Sequence, residues 1–193
     1  VGEMRDHGLA GFCTRQWMIS DLDPSVAYLA KAAWDPDSTP ETTYCGLIAD
    51  VCGEGAVESM LEAFREVEAV TAALEDHGLG LGFPVPSMIM GRWAPDSFTG
   101  ALAEDRDKYR RALAAVQKVP PPPGREGRDY VDYWTGRLRF AIRYFDMLEA
   151  VAAAAVAEQA ARDTRQSGDE NGFRKLAAEA FDKAVAARTC SFE

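Results

Sequence analysis

From about Asp129 to Gln166 the chain keeps a single pattern. Tyr130, Tyr133, Trp134, Leu138, Phe140, Ala141, Tyr144, Phe145, Leu148 and Val151 recur at the three- and four-residue spacing of a helix face. A helix of nearly forty residues is far longer than the usual run of about 8–20. Such a helix needs neighbours along its length, so the spacing predicts the long arm of a bundle. Its second half, Ala150 to Ala161, is rich in alanine, which favours helix and lets another helix come close.

Punctuation on either side predicts the other elements. Asp23 and Pro24 read as the cap and first turn of a helix to about Trp34. After the turn at Asp35-Pro36-Asp37-Ser38, Thr39-Pro40-Glu41 repeats that start for a helix that Gly53 stops. Between Gly55 and His77 the set Val57, Met60, Leu61, Phe64, Val67, Val70, Thr71 and Leu74 forms the clearest amphipathic stripe, with Glu58, Glu62, Arg65, Glu66 and Glu68 off it. The glycines and prolines of Gly78 to Pro86 exclude helix and predict a loop ending near Trp93. Asp96 or Ser97 would cap a further helix through Val119. Pro120 to Pro123 end it and read as a stiff surface connector. A hinge from Gly168 to Gly172 leads to a last helix through Arg188, and no fixed repeat marks a solenoid. The fold expected is all-α: a multi-helix bundle with one long helix, preceded by a short N-terminal strand or extended segment at Gly8 to Trp17. Residues 1–36 are set apart from a helical domain at 37–193.

Charge and length narrow the partners. With 21 Lys+Arg against 31 Asp+Glu in 193 residues, the net charge of −10 argues against nucleic acid and anionic membrane surfaces, which call for a basic face. A chain of this size buries about 70% of its unfolded surface, enough for a core without disulfides or metals. No stretch approaches the roughly 20 apolar residues of a membrane span. The N-terminus lacks the basic-then-apolar layout of a signal peptide and does not begin with Met, so the native start is expected elsewhere. Cys13, Cys45, Cys52 and Cys190 are scattered. Cys45 and Cys52, seven apart on one helix, would stand about 10 Å from each other, too far for a disulfide. Reduced thiols favour the cytoplasm.

Few residues carry chemistry. His7 and His77 are the only histidines, and no Cys-x-x-Cys or His pair at i, i+4 supplies a zinc site, so neither metal nor cofactor is expected. The Gly78-x-Gly80-x-Gly82 run follows a helix and is not closed by a Lys-Ser/Thr pair; a connector is the better reading than a phosphate loop. Asp21 and Asp23 could pair as acid and base, but Asp23 reads first as a helix cap. Tyr133, Trp134, Arg137, Arg139 and Arg143 mix aromatic and guanidinium groups as an anion or carbohydrate cleft does. Tyr130, Trp134, Arg137 and Ala141 share a face, and core packing is the preferred account of such a stripe. Arg92-Trp93, on a loop, reads equally as a core plug or a ligand contact.

The segment His7-Gly8-Leu9-Ala10-Gly11-Phe12-Cys13-Thr14-Arg15-Gln16-Trp17, followed by Tyr28-Leu29-Ala30-Lys31-Ala32-Ala33-Trp34-Asp35-Pro36-Asp37-Ser38-Thr39-Pro40-Glu41, resembles the end of the catalytic barrel in large glycoside hydrolases. The likeness is to the α-glucuronidase and β-hexosaminidase type. There a last strand of the form Gly-x-x-Gly-x-x-x-Arg-x-Trp precedes a helix reading Tyr-Leu-Ala-x-x-x-Trp-(Asp/Asn)-Pro. Gly53-Glu54-Gly55-Ala56-Val57 likewise resembles the Tyr-Gly-x-x-Ala motif of the helical region after such barrels. The resemblance covers about the first sixty residues. It implies the last strand and helix of a barrel plus a C-terminal helical domain, with Arg15, Trp17 and Asp21 aimed at the sugar pocket. The family's catalytic carboxylates lie on earlier strands and have no match here, so the chain alone is expected to lack activity. Carbohydrate would be its partner through an upstream barrel, and the helical part would supply cleft wall, stability or homodimer contacts. Arg92, Trp93, Trp134 and Arg137 complete the expected substrate-binding set. Two other readings stay open: a free-standing helical ligand-binding or protein-interaction module, and a complete small enzyme using Asp21.

Overall fold

The computed structural model describes residues 2–11, 23–76 and 91–190. Seven α-helices and no strand occur among them: α1 (Gly2–Asp6), α2 (Asp23–Trp34), α3 (Pro40–Cys52), α4 (Val57–Asp76), α5 (Gly100–Val116), α6 (Arg125–Gln166) and α7 (Glu170–Cys190). The fold is all-α, and the 42-residue α6 is the long arm that the spacing predicts. None of these helices is long and apolar enough to cross a membrane. Of the expected strand from Gly8 to Trp17, Gly8 sits in the turn closing α1 at φ +68°, and Leu9, Ala10 and Gly11 have no regular structure. Phe12 to Trp17 lie outside the described residues, as does the loop from Gly78 to Pro86.

The chain divides into two compact units, residues 1–67 with 111–137 and residues 68–110 with 138–193. The units part within α4, between α5 residues 110 and 111, and within α6. Residues 36 and 37, where the sequence placed a boundary, lie together in the first.

In the first unit, local chemistry sets the helix ends. Thr39 caps α3: its hydroxyl accepts from the Thr42 N–H at 3.1 Å, and the Thr42 hydroxyl accepts from the Thr39 N–H at 3.1 Å. The two threonines thus satisfy two otherwise unpaired donors, and Pro40 occupies the first turn, where its missing N–H costs nothing. Gly53 stops the helix at φ +89°, a conformation closed to most side chains, and its N–H reaches the Ala49 carbonyl at 3.0 Å. A short 3₁₀ turn, Glu54–Ala56, then feeds α4.

The α4 stripe is buried as its spacing requires at Met60, Leu61, Phe64, Val67 and Val70, whereas Thr71 is exposed. Phe64 meets Tyr44 edge-on at 6.0 Å and Trp134 at 4.9 Å, which joins α3, α4 and α6 in one aromatic core. Glu66 and Arg111 form two parallel hydrogen bonds of 2.9 Å across α4 and α5. The proline run is not wholly a surface connector. Pro122 is buried, with Gly127 in the first turn of α6 pressed against it.

In the second unit the start of α5 differs from expectation. Neither Asp96 nor Ser97 caps it; Thr99 does, accepting from the Leu102 N–H at 3.4 Å. The Ser97 hydroxyl instead lies 2.5 Å from the Arg92 carbonyl and 2.8 Å from that of Ala94, local acceptors that compete with capping. The far end of α5, which belongs to the first unit, is at Val116 rather than Val119, because the last bonds tighten to i→i+3 before Pro120. Phe140, placed on the buried stripe by its spacing, is 44% exposed and stacks on Tyr144 at 6.5 Å between centroids. Asp169 caps α7, accepting from the Gly172 N–H at 2.9 Å, after a turn that Gly168 makes at φ +83°.

Candidate functional site

Of the seven residues the sequence singles out, Arg15, Trp17 and Asp21 lie outside the described residues. Trp134 and Arg137 belong to the first unit, Arg92 and Trp93 to the second. Asp23, the other carboxylate of the acid–base pair considered, opens α2.

Trp134 is a core residue. It is buried among Phe64, Tyr130 and Tyr133, with ring centroids at 4.9, 6.4 and 6.0 Å. Its indole N–H is buried without a hydrogen-bond partner. Those rings fill the space around it, so its contribution is packing. Arg137, nearly one turn further along α6, is half-buried.

Trp93 differs. It stands on the segment leading into α5, and its indole Nε1–H donates to Glu158 Oε2 on α6 at 2.6 Å. The other carboxylate oxygen of Glu158 accepts from Arg162 at 2.6 Å. Both donors favour the ionised acid, the indole first, and hold the Glu158 carboxyl below the usual glutamate range. With its polar edge thus engaged, Trp93 remains 37% exposed. An indole fixed at its N–H and partly open to solvent can serve as a stacking surface, with charged groups at its edge.

Within the same unit, α5 and α6 are tied by an ion network. Arg106 donates to Asp146 at 3.0 Å and to Glu149 at 2.5 Å, and its guanidinium lies 5.3 Å from the Phe98 ring centroid. Arg110 reaches Asp146 at 3.4 Å and Asp107 at 2.9 Å. Burial works against the Arg106 charge, but Glu149 and then Asp146 outweigh it, so the guanidinium is held even more firmly protonated than usual. A cation committed to two carboxylates is poorly placed to receive an anionic ligand. The Tyr144 hydroxyl is buried with no hydrogen-bond partner; burial raises its pKa, and the positive charge of Arg92 partly opposes that.

These relationships were mostly invisible in the sequence. Glu158 and Arg162, four apart on a helix, gave a readable signal as an ion pair. Nothing linked Glu158 to Trp93, 65 positions earlier, or Arg106 to Asp146, 40 positions later. Among the described residues no group of three or more His, Cys, Asp and Glu is placed to hold a metal ion. Cys45 and Cys52 are free thiols, and burial pushes the Cys52 thiol up. Comparison with protein families, with curated proteins and with solved structures finds no match to this chain.

Proposed function

We propose that this chain is a non-catalytic helical portion of a carbohydrate-active glycoside hydrolase, and that it lends Trp93 to the wall of the sugar-binding cleft. The observation that carries the reading is the fixed indole: Glu158 holds its N–H at 2.6 Å while over a third of the residue stays open to solvent. Sugar rings present apolar C–H faces edged by hydroxyls, and an immobilised aromatic face with a carboxylate and guanidinium beside it suits both. Support also comes from the sequence of residues 7–41, which resembles the end of such an enzyme's barrel. Trp34, the aromatic of its Trp-Asp-Pro step, is 90% exposed at the end of α2, as expected of a residue whose packing partner belongs to a further part of the enzyme.

The test starts with the reading frame upstream of Val1. An encoded barrel carrying paired Asp/Glu residues supports the proposal, and a stop codon directly upstream overturns it. With the whole enzyme in hand, Trp93→Ala should raise KM for the sugar substrate about tenfold, as the loss of one stacking contact would. An unchanged KM removes Trp93 from the cleft. The second reading, a helical interaction module, is favoured by the exposed apolar residues of α7.

A further inference from the structure

Helix α7 is the least enclosed of the long helices. Not one of its residues from Glu170 to Ala186 is buried, and Phe181 and Val185 are 69% and 47% exposed. The exposed residues Arg174, Ala178, Phe181 and Val185 follow a four-three-four spacing, the seam of a two-helix contact. Lys175 and Asp182 are both exposed, seven apart, on the same flank of that seam. Glu179, also beside it, is already engaged by Lys183 at 2.8 Å.

We infer that α7 pairs antiparallel with α7 of a second copy of this chain. A two-fold axis midway between Glu179 and Ala180 sets each copy's Phe181 over the partner's Ala178, large against small, and each copy's Val185 against the aliphatic stem of the partner's Arg174. The same axis brings Lys175 of each copy to the flank that carries the partner's Asp182, so two opposite-charge pairs form by symmetry. Net charge selects this face. The chain carries −10, so two copies repel in general. Helix α7 holds four cations, Arg174, Lys175, Lys183 and Arg188, against three carboxylates, Glu170, Glu179 and Asp182, which leaves the whole negative excess elsewhere. A 21-residue helix is about 31 Å long. One helix pair of that length buries less than a standard interface, so the dimer is concentration-dependent.

The pairing is independent of sugar and of the hydrolase reading, and its test needs neither. Sedimentation equilibrium of the chain from about 1 μM to 1 mM spans the range of weak complexes. The apparent mass should climb from the 21.1 kDa of one chain toward twice that value. Phe181→Glu should weaken the dimer by at least about tenfold, with the helical circular dichroism unchanged. Lys175→Glu and Asp182→Lys should each weaken it several-fold, and the two together should restore it, a rescue that mere loss of stability would not produce. A mass of one chain at every concentration overturns the inference. So does a dimer indifferent to Phe181→Glu. Hydrogen-exchange protection of residues 171–186 that does not change with concentration would show the chain covering the helix itself, and also overturns it.

Discussion

Gly127 lies so close to Val51 that a β-carbon built on it would stand 2.5 Å from the Val51 carbonyl oxygen and 2.7 Å from Cβ of Pro122. The neighbour is backbone and cannot swing aside. The Cys52 thiol, packed at the same place, is 3.8 Å from the Gly127 carbonyl. The end of α3 and the first turn of α6 are therefore joined through the absence of a side chain. Gly127→Ala should cost the first unit about 2–3 kcal/mol through forced displacement. Gly136, also in α6, has open space around its α-carbon. There the same change should stabilise by about 0.5–1 kcal/mol through helix propensity. Urea unfolding of both variants checks the pair, and equal effects would show that the close approach carries no weight.

Trp134 and Trp34 make a second contrast. Trp134→Ala opens a cavity among Phe64, Tyr130 and Tyr133 and should cost about 3–5 kcal/mol. Trp34→Ala, at a 90% exposed position, should stay within about 0.5 kcal/mol. Thermal unfolding separates the two. A large loss at Trp34 in the chain alone would mean that the residue has a packing partner there.

The Arg106 side chain is only 11% exposed and is shared by Asp146 and Glu149. Arg106→Met keeps an unbranched apolar side chain but removes the guanidinium that lies over Phe98 and leaves two carboxylates with one cation fewer, and should cost about 2 kcal/mol. Arg110→Ala removes a more exposed cation from the same network and should cost no more than about 0.5 kcal/mol. Denaturant midpoints of the two variants give the comparison.

Glu158 yields a pH dependence. Its carboxyl is held below the usual range by the Trp93 indole and by Arg162. A group with a depressed folded pKa contributes stability that is present above its unfolded value of about 4.3 and is lost as pH falls through the lower folded value. Trp93 emission should therefore be flat above about pH 5 and shift in the acid range as the carboxylate is protonated. Glu158→Gln should abolish that acid step. A step that persists in the variant would assign it to another group.

What a stretch of this chain reveals about itself depends on how far away its partners are. Thr39 and Thr42 are three apart, Gly53 directly follows the helix it stops, and the α4 stripe repeats within each turn. Each of these is decided by groups a few residues away, so the order of letters is enough to place them. The same holds for the two-faced helices, and hence for the all-α class. The start of α5 shows the limit of local reasoning. Asp96, Ser97 and Thr99 all have capping chemistry, and the choice of Thr99 goes with Ser97 being drawn back to the Arg92 and Ala94 carbonyls in a turn whose shape the letters do not encode.

The candidate site falls almost wholly on the far side of that limit. Trp93 was conspicuous as a loop tryptophan, but its role turns on Glu158, and Arg106 is defined by Asp146 and Glu149. Trp134 and Phe140 share one helix and one aromatic pattern, yet one is buried and the other open. The sequence by itself determined that the chain folds into helices with an apolar face and where α3 starts and stops, because hydrogen bonds and side-chain periodicity along a helix act over three or four residues. Tertiary structure alone decided which aromatic is core, which indole is exposed and which cation is neutralised. Those outcomes depend on side chains 40 to 65 positions apart meeting at 2.5–3.0 Å, and many sequences with the same periodicity would bring different pairs together.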